Sequence, residues 1–329
     1  MGAVGAIPPP PRENGHPVAL IAYHGRRDHC ATLKTMKDLT LGRLSVSRIY
    51  EGDAVIPLAV ALPAITAEDL AQLKSWYWDP DLAEAPDAAG MRISVHSFVL
   101  RVDGRNILID TCCGNDKKRS LPPVDMQHWP YLENLAQAGL RPEDIDLVMC
   151  THLHFDHVGW NTRLRDGSWV PTFPKARYLF GRRDLEFFSQ QRHEALHREA
   201  FDDSVAPILD AGLADLVDVD SRVHRELGDG VWLEDASGHS PGNLCVIAES
   251  GGSRAIFSGD CFHHPIQVVR PDAAFFADEN PSQASATRLR LLEQYADKDA
   301  VFFPAHFTGP TAGRVERLKT GRLRFCFVR

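Results

Sequence analysis

Between His152 and His157 the chain sets three imidazoles and a carboxylate within six residues: His152, His154, Asp156 and His157. Imidazole nitrogen and carboxylate oxygen are good ligands for zinc and similar divalent ions, so this density points first to metal chemistry. A single histidine beside a strand is ordinarily a satisfied core or surface residue. Burying three with an aspartate and no cation, however, would strand several donors and acceptors. His152 and His154 stand at i and i+2, so extended backbone turns both to one face. Asp156 and His157 lie past the turn and can address a neighbouring position, which leaves room for two ions about 3.5–4 Å apart. The preceding run Leu147-Val148-Met149-Cys150 reads as a buried strand, and the chemistry begins at its tip.

The pattern His-x-His-x-Asp-His resembles the signature of the metallo-β-lactamase superfamily, and three further motifs extend the resemblance over roughly residues 41 to 310. His239 sits in Ser237-Gly238-His239-Ser240-Pro241-Gly242, Asp260 follows the run Ala255 to Gly259, and His306 follows Phe302-Phe303-Pro304-Ala305. The resemblance implies that His152, His154 and His239 hold one metal, that Asp156, His157 and His306 hold a second, and that Asp260 bridges the two. Two divalent ions are the implied cofactors, zinc first, with manganese, cobalt or iron as alternatives. A site so rich in neutral imidazole keeps a net positive charge, which brings a shared water to hydroxide near pH 7. That metal-bridging hydroxide is the expected nucleophile, and no Gly-x-Ser-x-Gly elbow competes for the role. Asp156 is expected to double as a catalytic group by passing the proton of the water to the leaving group. Asp110, in Leu108-Ile109-Asp110-Thr111, resembles the strand-end Asp-Thr of the family. It is expected to accept hydrogen bonds from loop backbone and not to bind metal. Cys112 stands where the family usually has glycine.

Within the superfamily, the N-acyl-homoserine lactonases of quorum quenching carry a tyrosine three residues after the bridging aspartate. This chain has His263 there, which is similar to the methyl parathion hydrolase branch. His263 is therefore a candidate catalytic group acting on the substrate oxygen, with a hydrogen bond to a metal ligand as its other reading. Trp160 replaces a glycine of the common Gly-Gly pair and is expected to form an apolar pocket wall. Phe187, Phe188, Phe262, Phe275 and Phe276 are expected in the core except where one faces the metals. The resulting expectation is hydrolysis of a small-molecule lactone or neutral ester with apolar substituents. One alternative is an organophosphate triester hydrolase. The other is an iron-dependent persulfide dioxygenase, for which two histidines and one aspartate suffice and the second ligand set is surplus.

A chain of 329 residues with 44% hydrophobic content can bury a large core. The spread of ligands from His152 to His306 favours one domain, residues 41–329, after an N-terminal extension of residues 1–40. A net charge of −8 and a pI near 6.0 argue against a nucleic-acid binder. No apolar run approaches the roughly 18 residues of a membrane span, and no basic start precedes a continuous apolar core, so a cytoplasmic protein away from membranes is expected. Seven cysteines without regular spacing suggest thiols, buried in the case of Cys112 and Cys113.

The elements that must position these groups follow from pattern. Met1 to Pro17, with Pro8 to Pro11, reads as an irregular arm. Val18 to Tyr23 suits a strand, and residues 18–40 form either an arm packed on the partner of a homodimer or a surface extension. Leu44 to Tyr50 alternates like a half-buried strand, and Thr66-Ala67-Glu68-Asp69 has the form of a helix start. Ile93 to Val102 and Asn106 to Ile109 flank Asp103-Gly104 as a hairpin. Helices are expected around Leu132 to Leu140, over Asp184 to Ala200 and over Pro281 to Ala296. Further strands are expected at Tyr178 to Phe180, Val231 to Ala236, Leu244 to Ala248, Arg254 to Ser258 and Val301 to Phe303. This mixture fits an α/β fold, and the resemblance implies the αββα sandwich, two mixed β-sheets flanked by helices.

Overall fold

The computed structural model describes residues 22–24, 36, 38–218 and 230–328. The expected proline-rich arm and the first four residues of the Val18 to Tyr23 strand lie outside them. The first sheet opens with β1 (Ala22–His24), β2 (Leu39–Leu41), β3 (Leu44–Pro57), β4 (Gly90–Val102), β5 (Arg105–Ile109) and β6 (Leu147–Met149). A separate hairpin, β7 (Thr162–Arg165) and β8 (Ser168–Pro171), precedes β9 (Arg177–Gly181) and β10 (Ala214–Val217). The sheet order is β1-β3-β4-β5-β6-β9-β10, with β2 also paired to β3. The second sheet keeps chain order: β11 (Val231–Asp235), β12 (Leu244–Ser250), β13 (Ser253–Phe257), β14 (Ala300–Phe303), β15 (Gly313–Arg317) and β16 (Leu323–Phe327).

Three layers of apolar packing make the sandwich. Along β6, Leu147 and Met149 face the second sheet while Val148 faces outward; along β14, Val301 and Phe303 face the first sheet while Phe302 faces outward. Because both faces are buried, these strands read as continuous apolar runs without alternation. The outer face of the first sheet is covered by α3 (Tyr131–Gln137), α4 (Phe155–Val158), α5 (Arg182–Gln190), α6 (Ala195–Ala200) and α7 (Ala206–Asp210). The outer face of the second is covered by α9 (Pro281–Tyr295), through Leu291, Leu292 and Tyr295. A fourth cluster joins the far ends of β3 and β4 to α1 (Leu58–Ala61), α2 (Ala67–Lys74) and α8 (Ile266–Val269). The expected start of α2 is a capping box between Thr66 and Asp69.

Some expectations are corrected. The single helix over Asp184 to Ala200 is two: α5 stops at Gln190, and α6 begins at Ala195 and runs through a π-turn at Phe201–Val205 into α7. Arg192, in the gap, is turned onto Asp202 of that π-turn at 2.6 Å. The strand at Leu44 to Tyr50 continues to Pro57, past a register shift between Tyr50 and Gly52. The bulge turns the intervening Glu51 inward. β1 lies on β3 of its own chain. Cys112 and Cys113 are buried free thiols, as expected. Among the described residues no helix is long and apolar enough to cross a membrane.

Candidate metal centre

Five strand ends meet at one edge of the sandwich. β5 leads into Asp110, β6 into Thr151 and the His152–His157 segment, β13 into Gly259 and Asp260, β14 into His306, and the β11–β12 connection carries His239. Parallel neighbours deliver their C-terminal ends side by side, which is why the pairs β5–β6 and β13–β14 bring distant residues together. Backbone bonds stitch the ends: Thr111 N to His157 O at 2.8 Å, Leu244 N to Thr151 O at 2.9 Å, and Ser94 N to His306 O at 2.9 Å. Gly259, at φ +52, turns the chain where a Cβ would stand 2.8 Å from the Thr151 hydroxyl. Any side chain there would displace Asp260.

Two trios result. His154 Nδ1 lies 3.0 Å from His152 Nε2 and 2.9 Å from His239 Nε2. Asp156 carboxylate oxygens lie 3.8 Å from His157 Nε2 and 3.6 Å from His306 Nε2. Asp260 stands between the trios. Its Oδ1 is 3.2 Å from His157 Nε2 and 3.1 Å from His306 Nε2; its Oδ2 is 3.3 Å from His239 Nε2 and 3.8 Å from His152 Nε2. Oδ2 also reaches His306 Nε2 at 3.2 Å.

The far sides of three rings rest on fixed oxygens. His157 Nδ1 is 2.9 Å from Asp110 Oδ2, His239 Nδ1 is 3.0 Å from Asp278 Oδ1, and His306 Nδ1 is 3.0 Å from the Ser94 carbonyl. Each ring donates outward and so presents Nε2 to the centre as an acceptor. Asp110 also accepts from the Thr151 amide at 2.7 Å and the Thr151 hydroxyl at 2.9 Å, the backbone role expected of it.

This donor set suits divalent ions. Burial holds His152 and His154 well below the ordinary imidazole range, hence neutral. Burial also opposes a charge on His157, but Asp260, Asp110 and Asp156 outweigh it and raise that ring well above the same range. For Asp260 burial opposes ionisation, yet His157, His306, His263 and His152 hold it well below the usual carboxylate range. His157 Nε2 and Asp260 Oδ1 are buried without a hydrogen bond. A raised imidazole beside an ionised carboxylate holds a proton where a divalent ion would take the same nitrogen and oxygen.

The remaining candidates divide. His263 Nε2 lies 3.2 Å from Asp260 Oδ2, its ring stacks on Phe275 at 3.7 Å, and neither ring nitrogen makes a hydrogen bond. Burial pushes His263 down to about 4, so it is neutral at pH 7. Phe188 meets His154 edge-on at 5.3 Å, and His197 of α6, which the sequence did not single out, stacks on His154 at 5.3 Å. Trp160 is corrected from pocket wall to core: it is buried, stacks on Tyr131 at 5.2 Å and donates its indole N–H to Glu51 at 2.6 Å. Phe262 packs on Phe302 in the layer beneath α9. Glu51 also accepts from the Cys113 and Gly114 amides at 2.8 and 3.2 Å, and burial raises it to about 7.

Residues 90–306 match the sequence profile of the Metallo-beta-lactamase superfamily. The N-acyl homoserine lactonase AiiB of Agrobacterium fabrum is 32% identical over 193 residues, which is 52% of this chain and 64% of that protein. Among solved structures, the hydrolase AbOPH superposes with a TM-score of 0.73 at 20% identity, covering 89% of this chain and 97% of that one. AidC, a dizinc quorum-quenching lactonase, gives 0.70 at 19% identity, covering 91% and 99%. These two likenesses speak to the fold. The chain spans only about a quarter to two fifths of the length of the first curated relatives it matches, one of them a ribonuclease of Thermus thermophilus.

Proposed function

The chain belongs to the metallo-beta-lactamase superfamily, and from that premise we propose that it is a hydrolase working with two divalent ions, zinc first among them, on a lactone or neutral ester with apolar substituents. The observation that carries the reading is the position of Asp260, with Oδ1 3.1 Å from His306 in one trio and Oδ2 3.3 Å from His239 in the other. His152, His154 and His239 would hold one ion, Asp156, His157 and His306 the other, and Asp260 would serve both. When bound, such ions polarise a carbonyl oxygen and bring a coordinated water toward ionisation near neutral pH.

The protein's own groups do the rest. Asp110, Asp278 and the Ser94 carbonyl keep three imidazoles in the tautomer that points Nε2 inward. Asp156, with 12% of its side chain exposed against 4% for Asp260, is placed to take a proton from the attacking water and return it to the leaving oxygen. His263, neutral and backed by Phe275, offers a ring N–H to the substrate oxygen on which charge develops.

An uncharged imidazole and the rings of Phe275 and Phe188 border the centre, which suits an uncharged substrate carrying apolar bulk. The names of AiiB and AidC as lactonases point the same way. A net charge of −8 weighs against the polyanion that a ribonuclease cleaves. A neutral phosphotriester suits the same border and stands second. An iron-dependent persulfide oxygenase would leave the second trio without a purpose.

The test is a panel of lactones, aryl esters and phosphotriesters, with oxygen uptake followed in parallel. Lactone or ester cleavage should improve about fourfold with each methylene added to the apolar substituent, from roughly 0.8 kcal/mol per buried CH₂. Phosphotriesters should be slower, and no oxygen should be consumed. Oxygen uptake tied to a persulfide, with no ester or lactone cleaved, would overturn the reading.

A further inference from the structure

Asp184, in the first turn of α5, is a fully buried carboxylate that none of the steps above employs. Its Oδ2 accepts from the Ser240 hydroxyl at 2.8 Å and its Oδ1 from the Gly242 amide at 2.5 Å. These two donors are not scattered. Ser240 and Gly242 directly follow His239. One side chain therefore holds the loop that carries His239 of the first trio. The approach is close enough to dictate the sequence: a Cβ on Gly242 would stand 2.6 Å from Asp184 N and 2.8 Å from its Oδ1. Only glycine lets the loop reach the carboxylate.

The second trio leans elsewhere. His157 rests on Asp110, and His306 rests on the Ser94 carbonyl of β4. Asp278 orients the ring of His239 through Oδ1 and accepts from the Phe275 amide on Oδ2. The set of contacts around Asp184 is thus specific to one half of the centre.

We infer that Asp184 is a positioning residue of the first trio alone, setting His239 against His152 and His154 and so fixing the affinity of one metal position without acting on the other. The inference rests on the assignment of those three histidines to a single ion. Partners one step behind metal ligands typically change affinity by roughly 10–100-fold when lost, which sets the size of the effect. Loss of general stability would weaken both positions together, so the split between them is what separates positioning from scaffolding.

The experiment is a zinc titration of metal-free protein against a chromophoric chelator. It compares wild type with Asp184→Ala, Asp184→Asn and Ser240→Ala, and uses His154→Ala and His306→Ala as references for the two positions. Wild type should take two ions. Asp184→Ala should hold one as tightly as wild type and the other roughly 10–100-fold more weakly. Added to His154→Ala, it should leave the remaining ion unchanged; added to His306→Ala, it should weaken the single ion left. Asp184→Asn and Ser240→Ala each keep part of the bonding and should show the same split at smaller size, which preserves the test if the alanine variant does not fold. Equal weakening of both ions, or unaltered affinities in every variant, would overturn the clamp while leaving the two-ion assignment standing. A wild type that binds one ion would sink that assignment and the clamp with it.

Discussion

His157, His239 and His306 each lean on a fixed oxygen, whereas His263, in the same centre, leans on a phenyl ring. The first three have a partner on the far nitrogen at 2.9–3.0 Å, and the fourth has a hydrogen bond on neither nitrogen. A ring whose outer N–H is already committed is set to be a permanent acceptor, the condition of a metal ligand. A ring packed against Phe275, with Nε2 3.2 Å from Asp260 Oδ2 and no fixed oxygen behind Nδ1, is held in place without a committed outer N–H, the condition proposed for a group that meets a substrate. On the proposed assignment the difference separates holding residues from reacting residues within a few ångströms, and it is open to being broken by substitution.

The largest effect is expected at Asp260, the carboxylate that stands between the two trios. Asp260→Ala should lose metal and activity together, with turnover down by about 10³-fold or more, because two cations would otherwise repel across the gap. Two tightly held equivalents and wild-type turnover in the purified variant would rule the shared role out. Next is the reacting side. His263→Ala should lower turnover by roughly 10–1000-fold with metal content unchanged. Metal analysis beside steady-state kinetics reads both quantities, and metal lost in step with rate would place His263 among the holders.

A smaller effect is expected where a holder loses its fixed oxygen. Asp278→Asn replaces one acceptor oxygen behind His239 and should weaken metal binding by roughly 10–100-fold, with turnover of the fully loaded enzyme changed less. Chelator competition measures the first and kinetics at saturating metal the second. A normal affinity would mean that the oxygen behind the ring does not matter.

The mildest effect concerns Glu51, which lies outside both classes and accepts from Trp160, Cys113 and Gly114. Its folded value is raised by burial from 4.5 to about 7. The stabilising contribution of its protonated form is therefore complete below about pH 4.5 and is lost as pH rises through 7, an effect on the order of 3 kcal/mol. Glu51→Gln cannot ionise and should lack that decline. Denaturant unfolding of both proteins at pH 5 and pH 8 should show the variant gaining on wild type at the higher pH. A constant difference between them would show that Glu51 does not titrate in that window.

What the sequence made legible follows local density. Three histidines and an aspartate in six residues announce themselves, and His239, Asp260 and His306 each follow a strand-like run that a family pattern can find. The oxygens behind them do not, since Asp278 meets His239 across 39 residues and the Ser94 carbonyl meets His306 across 212. No short-range pattern links such pairs. Trp160 departs from its expected place for a related reason: nearness in sequence to His157 says nothing of direction, and the turn at Gly159–Asn161 sends the indole into the core, to Tyr131 and Glu51. The β7–β8 hairpin did carry a readable signal, Asp166-Gly167, both at positive φ. The break between α5 and α6 carried none, having neither glycine nor proline among residues 191–194.

Crystals grown with zinc and measured on both sides of the zinc absorption edge test the central claim most directly. The account predicts two anomalous peaks per chain, one among His152, His154 and His239 and one among Asp156, His157 and His306, with an oxygen of Asp260 on each and His263 coordinating neither. A single peak, or a peak bound to His263 with Asp260 turned away, would contradict it.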